Sequence, residues 1–453
     1  MVVIVIAYTL ACIICGVSAL WHTYNANKVY PSTCDHTEAN FKEMTKPVSA
    51  ANHEKWKLWP DVISKRDLLE GETMYGFEAG MEAIWKNQHP EDCSNAKFLI
   101  SGGFESGFGS EIHVIGVGLA LAMNMGRVYV MFPDRGDSSL SDKMNSLNSF
   151  QVDNDFCRKQ GPGKLSLDCY YEPWSSCTIE DALQGTTLQG LRSSGKHLFL
   201  EEILAMKEAP ARSYIVQLGD HGTFPDVLRP VVDCSPIHES NFHHWWRAMT
   251  TAFLLRPNEP TRALIAQHRR DPEMYFDHEK EECISVHIRR GDKHLEMPII
   301  EDETKFYESA KELWLSIKNR THTNQEKGIM FMGSEDARVI LSGAEWANRN
   351  DFEVRYTNLF DRSTVTTGLN NTLQQEARQA NKFVHNEWEY FNMILTLDGH
   401  IRCSAFVCTS SSNYCRVIDE LRATVGHKAN SMNADWTCEH PCIDTPSEGI
   451  NWG

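Results

Sequence analysis

The chain has 453 residues, 42% of them hydrophobic and 23% charged, which excludes a disordered chain and is long enough for two domains with appendages. Its 44 Lys and Arg are outnumbered by 61 Asp and Glu, for a formal net charge of −17, and no long basic stripe offsets that excess. Extended nucleic-acid binding, which needs clustered cations to neutralise phosphates, is therefore excluded as a principal function.

Val2 to Leu20 is almost wholly apolar, long enough to cross a bilayer as a helix or to serve as a secretory signal. Val17-Ser18-Ala19 resembles a small-residue cleavage site, but the length of the run favours an uncleaved signal anchor over residues 1–21. Either reading sends the rest of the chain into the secretory lumen. Of the 14 cysteines, Cys12 and Cys15 lie inside the apolar run and an even number remains, as expected of a disulfide framework in an oxidising compartment. Cys438 and Cys442 flank His440, but no second ligand pair stands at zinc spacing, so a disulfide is expected there and no metal site. The sequons at Asn319 and Asn370 fit the same compartment.

Residues 22–60 are polar and aperiodic, which predicts a stem. From Asp61 to Trp85 the spacing of Leu68, Leu69, Met74, Phe77, Met81 and Ile84 predicts a helix. A strand at Lys97 to Ile100 leads into a glycine-rich loop, Gly102 to Gly109, then a buried helix from Ser110 to Met125 and a strand from Arg127 to Phe132. Strand, glycine loop, helix, strand is the unit of a parallel α/β sheet. The loop lacks the third glycine of a dinucleotide fingerprint, so Gly107 and Gly109 read either as a sugar-facing loop or as a structural turn. Cys157, Cys169 and Cys177 mark a disulfide-tied insertion over residues 138–195. A further strand at Ser213 to Leu218 and a helix at Asn241 to Arg256 bearing Trp245 and Trp246 complete an N-terminal α/β domain over 61–280.

A second domain is expected over 281–430, followed by a tail over 431–453. It alternates strands at Cys283 to Ile288, Gly328 to Met332, Phe352 to Tyr356 and Ala405 to Thr409 with helices at Thr304 to Lys318, Glu335 to Trp346, Leu373 to Leu397 and Asn413 to Ala423. This rhythm predicts a doubly wound parallel sheet with its ligand at the carboxyl ends of the strands. Three polar clusters fall at those ends: His287 with Arg289, Arg290, Asp292 and Lys293; Gly333-Ser334-Glu335-Asp336; and Ser410-Ser411-Ser412-Asn413, which opens a helix. Two adjacent guanidinium forks suit a planar, doubly charged acceptor such as the diphosphate of a nucleotide sugar, and a helix start with hydroxyls favours an anion. A solvated basic turn is the competing reading. Arg290-Gly291-Asp292 also spells an adhesion tripeptide, though it follows a strand of buried character rather than a hairpin tip.

V-H-I-R-R-G-D-K, from Val286 to Lys293, resembles the first motif of the α1,6-fucosyltransferase group within the wider superfamily that includes the protein O-fucosyltransferases. G-F-G-S-E-I-H (Gly107 to His113), W-W-R-A-M-T-T-A-F-L-L-R-P (Trp245 to Pro257), M-G-S-E-D (Met332 to Asp336) and V-C-T-S-S-S-N-Y-C-R (Val407 to Arg416) match in the same order. The resemblance implies two facing Rossmann-like domains, GDP-fucose as donor, inversion at the anomeric carbon, and no metal or other cofactor. It implies His287 and Asp398 at the guanine and Arg289, Arg290 and Ser412 at the diphosphate. It also implies that Glu335 and Asp336 orient the arginines, and that Cys408 and Cys415 form a disulfide. Ser411, Asn413, Asp292, Gly107 and Gly109 join the expected donor-binding set. The family's proposed base is a glutamate four residues beyond the motif lysine, where this chain has Met297; Glu296 is the nearest acid and is nominated as base, with Lys293 as its helper. The expected acceptor is the core GlcNAc of an N-glycan, with another glycan or a protein hydroxyl as the alternative acceptor and a non-catalytic glycan-binding relative as the alternative of another class. The expected address is the Golgi membrane, single-pass with a lumenal catalytic part, or else secretion.

Overall fold

The computed structural model describes residues 34–35, 37–102, 107–132, 155–160, 167–206, 208–218, 223–237, 241–290, 302–359, 387–435 and 442–443. The apolar N-terminal run, Gly291 to Glu301 with Asp292, Lys293 and Glu296, the sequon at Asn370, and Cys438 lie outside these residues.

The described residues of the segment expected as a stem, from Cys34 on, are folded onto the body. Helices α1 (Glu38–Met44) and α2 (Ala50–Trp56) start at Thr37 and Ser49, whose hydroxyls accept from the Asn40 and Asn52 amides. Trp56, Leu58 and Trp59 are buried, and Cys34 is bonded to Cys234. Three large apolar residues within four positions carried the signal that aperiodicity concealed. The single helix expected over 61–85 is two helices, α3 (Lys65–Glu70) and α4 (Phe77–Gln88). Gly71 and Gly76 divide them. A Cβ at Gly71 would sit 2.2 Å from the His427 carbonyl oxygen, and Gly76 has φ +73°, where only glycine is unstrained.

Two parallel sheets follow. In the first, β1 (Phe98–Ser101), β2 (Val128–Met131), β3 (His197–Phe199) and β4 (Ser213–Gln217) are ordered β2-β1-β4-β3, all parallel. Helix α5 (Phe108–Asn124) crosses between β1 and β2, and the three-residue edge strand β3 is too short to show a period. Cys93–Cys177 and Cys157–Cys169 tie the insertion, which contains short helices where irregular chain was expected. Helix α6 (Phe242–Leu254) carries the tryptophan pair inward.

The second sheet has the order β10-β9-β8-β5-β6-β7, from β5 (Cys283–His287), β6 (Gly328–Gly333), β7 (Phe352–Arg355), β8 (Ala405–Cys408), β9 (Asn433–Asp435) and β10 (Cys442–Ile443). Among the described residues of this sheet only the β9–β10 pair is antiparallel. Its helices are α7 (Thr304–Thr321), α8 (Ala337–Arg349), α9 (Glu387–Arg402) and α10 (Asn413–Ala423). β5 and β6 are buried along their whole length, as strands inside a parallel sheet are, and the polar Ser285 of β5 has a partner in His400 Nδ1 at 2.5 Å. The largest core runs without a break from α4, α5 and α6 into Ile394, Leu397 and Ile401 of α9 and Val417, Ile418 and Leu421 of α10. Helices of the second sheet thus pack directly on helices of the first, and this seam brings the glycine loop to the serine loop.

Candidate active site

The register of the second sheet sets the site. Val286 pairs with Val407 on one side and Met332 on the other, so the arginine turn emerges between the serine loop after β8 and the Gly333-Ser334-Glu335 turn after β6. All three polar clusters expected at the carboxyl ends are therefore neighbours.

Glu335 organises the turn. Its Oε1 accepts from Arg289 Nη1 at 2.5 Å and from the Arg290 backbone N–H at 2.6 Å. Arg290 Nη2 reaches Glu303 Oε1 at 3.1 Å, and the other oxygen of Glu303 accepts from Ser342 Oγ at 2.8 Å. Both guanidinium groups are thus fixed in direction, each as a planar fork of five N–H donors. Asp336 caps α8, accepting from the Arg338 amide, and pairs with the Arg338 guanidinium at 2.8 Å, while its charge also faces that of Arg290. Burial would raise the Asp336 carboxyl, but the hydrogen bonds from Arg338 outweigh it and hold it below the usual carboxylate range.

His287 ends β5 and is only 6% exposed. Its ring lies 4.8 Å from the Tyr414 ring and 5.7 Å from His400, and neither ring nitrogen has a hydrogen-bond partner among the described residues. Burial, reinforced by the neighbouring Arg289 charge, lowers its pKa to about 3, so the ring is neutral and presents one N–H and one lone pair.

The serine loop is pinned from three directions. Cys408–Cys415 closes it, Arg416 Nε donates to the Ser410 carbonyl at 2.8 Å, and Asn413 Nδ2 donates to Ser110 Oγ at 2.6 Å. Ser412 is the buried N-cap of α10, and its hydroxyl makes no capping bond; Ser411 stands half-exposed beside it. Gly107 is the N-cap of α5, again without a side-chain cap. Gly109 sits against α10 so closely that an added Cβ would lie 2.5 Å from the Asn413 carbonyl carbon and oxygen. Two helix starts, whose first-turn N–H groups carry partial positive charge, therefore meet at the serine loop.

The structure does not bring Asp398 to this place. It lies four residues before the end of α9, whose next residue Cys403 is bonded to Cys283 at the amino end of β5, opposite the arginine turn. Asp398 is fully buried and accepts from Arg269 Nη2 at 2.5 Å, Arg269 Nε at 2.9 Å and Trp59 Nε1 at 2.8 Å. Burial would push its carboxyl up, and the Arg269 charge overrides that to hold it below the usual range. Asp398 is thus half of a structural ion pair with Arg269, away from the arginine turn.

Residues that the sequence reading missed are Glu303, Ser110, Tyr414 and Arg416. Glu303 immediately precedes α7, the position where an acid favours a helix start, and that signal could have found it. Arg416 stands three residues after Asn413, the spacing at which helical side chains meet. The contact of Ser110 with Asn413 spans 303 positions and has no local signal.

No family model matches the chain and no curated protein matches it. Among solved structures, the chain is similar to NodZ alpha-1,6-fucosyltransferase soaked with GDP-fucose, at 13% identity over 77% of this chain and 98% of that one, with a TM-score of 0.34. It is similar to POFUT1 in complex with GDP-fucose at 11% identity, over 74% of this chain and 97% of that one, with a TM-score of 0.31. A mutant of Arabidopsis thaliana FUT1 in complex with GDP shares 12% identity over 92% of this chain and 86% of that one, with a TM-score of 0.38.

Proposed function

We propose that the protein is a GDP-fucose-dependent glycosyltransferase that moves fucose, with inversion, to a glycan hydroxyl, the 6-hydroxyl of the N-glycan core GlcNAc first. The observation that carries this reading is the pair of guanidinium forks of Arg289 and Arg290, held by Glu335 and Glu303 at the carboxyl end of β5 and flanked by the start of α10. The ordered motifs that resemble the α1,6-fucosyltransferase group support the same donor.

Cleavage of the sugar–phosphate bond builds negative charge on the β-phosphate. Arginines already fixed in direction stabilise that charge without reorganising, which is how a preorganised site lowers a barrier. The N–H groups at the starts of α10 and α5 add to the field. Neutral His287, with one donor and one acceptor, suits the edge of a purine base. Glu296, the acid nearest to the position where the family has its base and this chain has Met297, is assigned as the base that takes the acceptor proton, with Lys293 as its helper. A lumenal, Golgi address with residues 1–21 as the anchor is supported by five disulfides among the described residues.

The test is GDP release and product formation from GDP-fucose with an N-glycan core acceptor, in excess EDTA, for the wild type, Arg289→Lys and Arg290→Lys. Lysine keeps the charge and removes the fork, so kcat/KM is expected to fall about 100-fold in each variant with Tm unchanged. Wild-type turnover in both variants, or a strict requirement for a divalent ion, would remove the arginine turn from the chemistry. Saturable glycan binding with no GDP release would favour a glycan-binding role, a reading kept in view by Met297 at the family's base position.

A further inference from the structure

A buried carboxylate outside the donor site joins the helices that build it. Glu420, on the second half of α10, is fully buried, and both its oxygens face His113 Nε2 of α5, at 3.0 and 3.1 Å. Thr251 Oγ1 of α6 donates to the same carboxylate at 2.6 Å. The neighbouring Asp419 lies 3.9 Å from His244 of α6 and accepts from Asn433 Nδ2 of β9 at 3.2 Å. The α5–α6 contact is itself tight: Trp246 Nε1 donates to the Gly116 carbonyl at 2.9 Å, and a Cβ on Gly116 would lie 2.7 Å from Thr250 Oγ1.

Three sequence motifs converge here. His113 closes G-F-G-S-E-I-H, Thr251 belongs to W-W-R-A-M-T-T, and Glu420 lies about one turn beyond N-Y-C-R on the same helix. The tryptophan motif had no place in the donor chemistry, and this cluster supplies one. His113 is four residues from Gly109 and Glu420 seven from Asn413, so on a rise of about 1.5 Å per residue the cluster lies roughly 6 and 10 Å along each helix from the point where the two helix starts touch.

We infer that Glu420 is a positioning residue, whose hydrogen bonds from His113 and Thr251 lock α10 against α5 so that Gly109 and Asn413 meet and the serine loop faces the arginine turn. Burial alone would keep such a carboxyl protonated. His113, His244 and Thr251 instead bring it down to about 2, so it is ionised, and an ionised buried acid holds its donors in one arrangement where apolar packing tolerates several. A slip of α10 along α5 by a fraction of a turn would strand this charge, which makes the register of the two helices specific.

The affinity arm of the test rests on the donor-site reading; the exchange arm does not. Glu420→Leu, Glu420→Gln and Thr251→Val are compared with the wild type by native-state amide exchange and by calorimetric binding of GDP. The amides followed are Glu111 and Arg416, which close the first turns of α5 and α10 on the Gly107 and Ser412 carbonyls. Glu420→Leu is expected to speed exchange at both amides at least tenfold while β6 amides stay protected, and to weaken GDP at least tenfold. Glu420→Gln keeps an accepting oxygen on a side chain of the same size but not the charge, so it should recover part of the loss, and both it and Thr251→Val should fall between Glu420→Leu and the wild type. If Glu420→Leu does not fold, Thr251→Val, which exchanges one hydroxyl for a methyl, carries the comparison. Wild-type exchange at Glu111 and Arg416 in a folded Leu or Val variant would overturn the proposal, as would acceleration spread equally to β6, the mark of a general loss of stability. Failure of the wild type itself to bind GDP would refute the donor reading and leave the exchange result to decide this one.

Discussion

Gly109→Ala is the sharpest perturbation available at the meeting of the two helix starts. The added methyl would stand 2.5 Å from the carbonyl carbon and oxygen of Asn413 and 2.9 Å from the Tyr414 nitrogen. Non-bonded contacts of this kind settle near 3.5 Å, so α5 and α10 must part by roughly 1 Å at their starts. The obstacle is backbone, not the free end of a side chain, so it cannot rotate away. Overpacking of this severity costs about 1–3 kcal/mol, and at about 2 °C per kcal/mol for a chain of this size Tm should fall by roughly 2–6 °C. Displacing binding groups by about 1 Å costs up to about 100-fold. Calorimetric GDP affinity should therefore drop at least tenfold, out of proportion to the loss of Tm. Gly107→Ala is the control: nothing among the described residues lies within 4 Å of a Cβ there, and its φ of −69° suits any residue, so its Tm should stay within about 1 °C. Wild-type Tm and GDP affinity in Gly109→Ala would refute the close approach and the site built on it.

Asp398→Asn should separate a structural ion pair from a nucleotide contact. Loss of the charge opposite buried Arg269 is expected to cost about 3–5 kcal/mol in denaturant titrations, while GDP affinity in the folded protein stays within about threefold; a selective loss of GDP binding would return Asp398 to the site. His244 and His287 are buried and their pKa values lowered to about 4 and about 3, in both cases first by burial. The unfolded chain therefore binds protons that the folded one refuses, and stability is complete above about pH 6.5 and lost as pH falls toward those values. Between pH 7 and 5 each contributes a loss of up to about 2 kcal/mol. Tm at pH 5 should be lower than at pH 7.5 by several degrees, and His287→Asn should flatten the slope; a Tm constant across that window would show the two rings to be solvated. Removing Cys408–Cys415 as a Ser pair should cost about 2–3 kcal/mol by loop-closure entropy and loosen the serine loop, read as weaker GDP binding with kcat less affected; unchanged stability and affinity would show the tether to be dispensable.

Much of the second sheet was legible before any coordinates. The apolar residues of β5 and β6, each strand followed within two residues by charge, mark strand and carboxyl end together, because a strand buried on both faces of a parallel sheet is mostly apolar. The arginine turn, Glu335 and Ser412 fell into the site for that reason, and the Cys408–Cys415 pair implied by resemblance is present. The errors have physical causes too. Residues 22–60 read as a stem because short helices anchored by Trp56 and Trp59 carry no 3.6-residue period. The helix expected over 61–85 breaks because His427, some 356 positions away from Gly71, occupies the space a Cβ would need. Asp398 was placed at the guanine by resemblance, whereas burial beside Arg269 gives it a partner that already satisfies its charge.

By itself the sequence determined the local things: where strands end, which turn carries the forked cations, which serine cluster opens a helix. These are encoded within a few residues, by side-chain period and by the backbone preferences of glycine. Only the tertiary structure decided which ends meet. Glu335 reaches Arg289, Asn413 reaches Ser110 and Glu420 reaches His113 because parallel register and one shared core bring together groups 46, 303 and 307 positions apart. Contacts of that separation follow from the packing of whole layers, which no local pattern records.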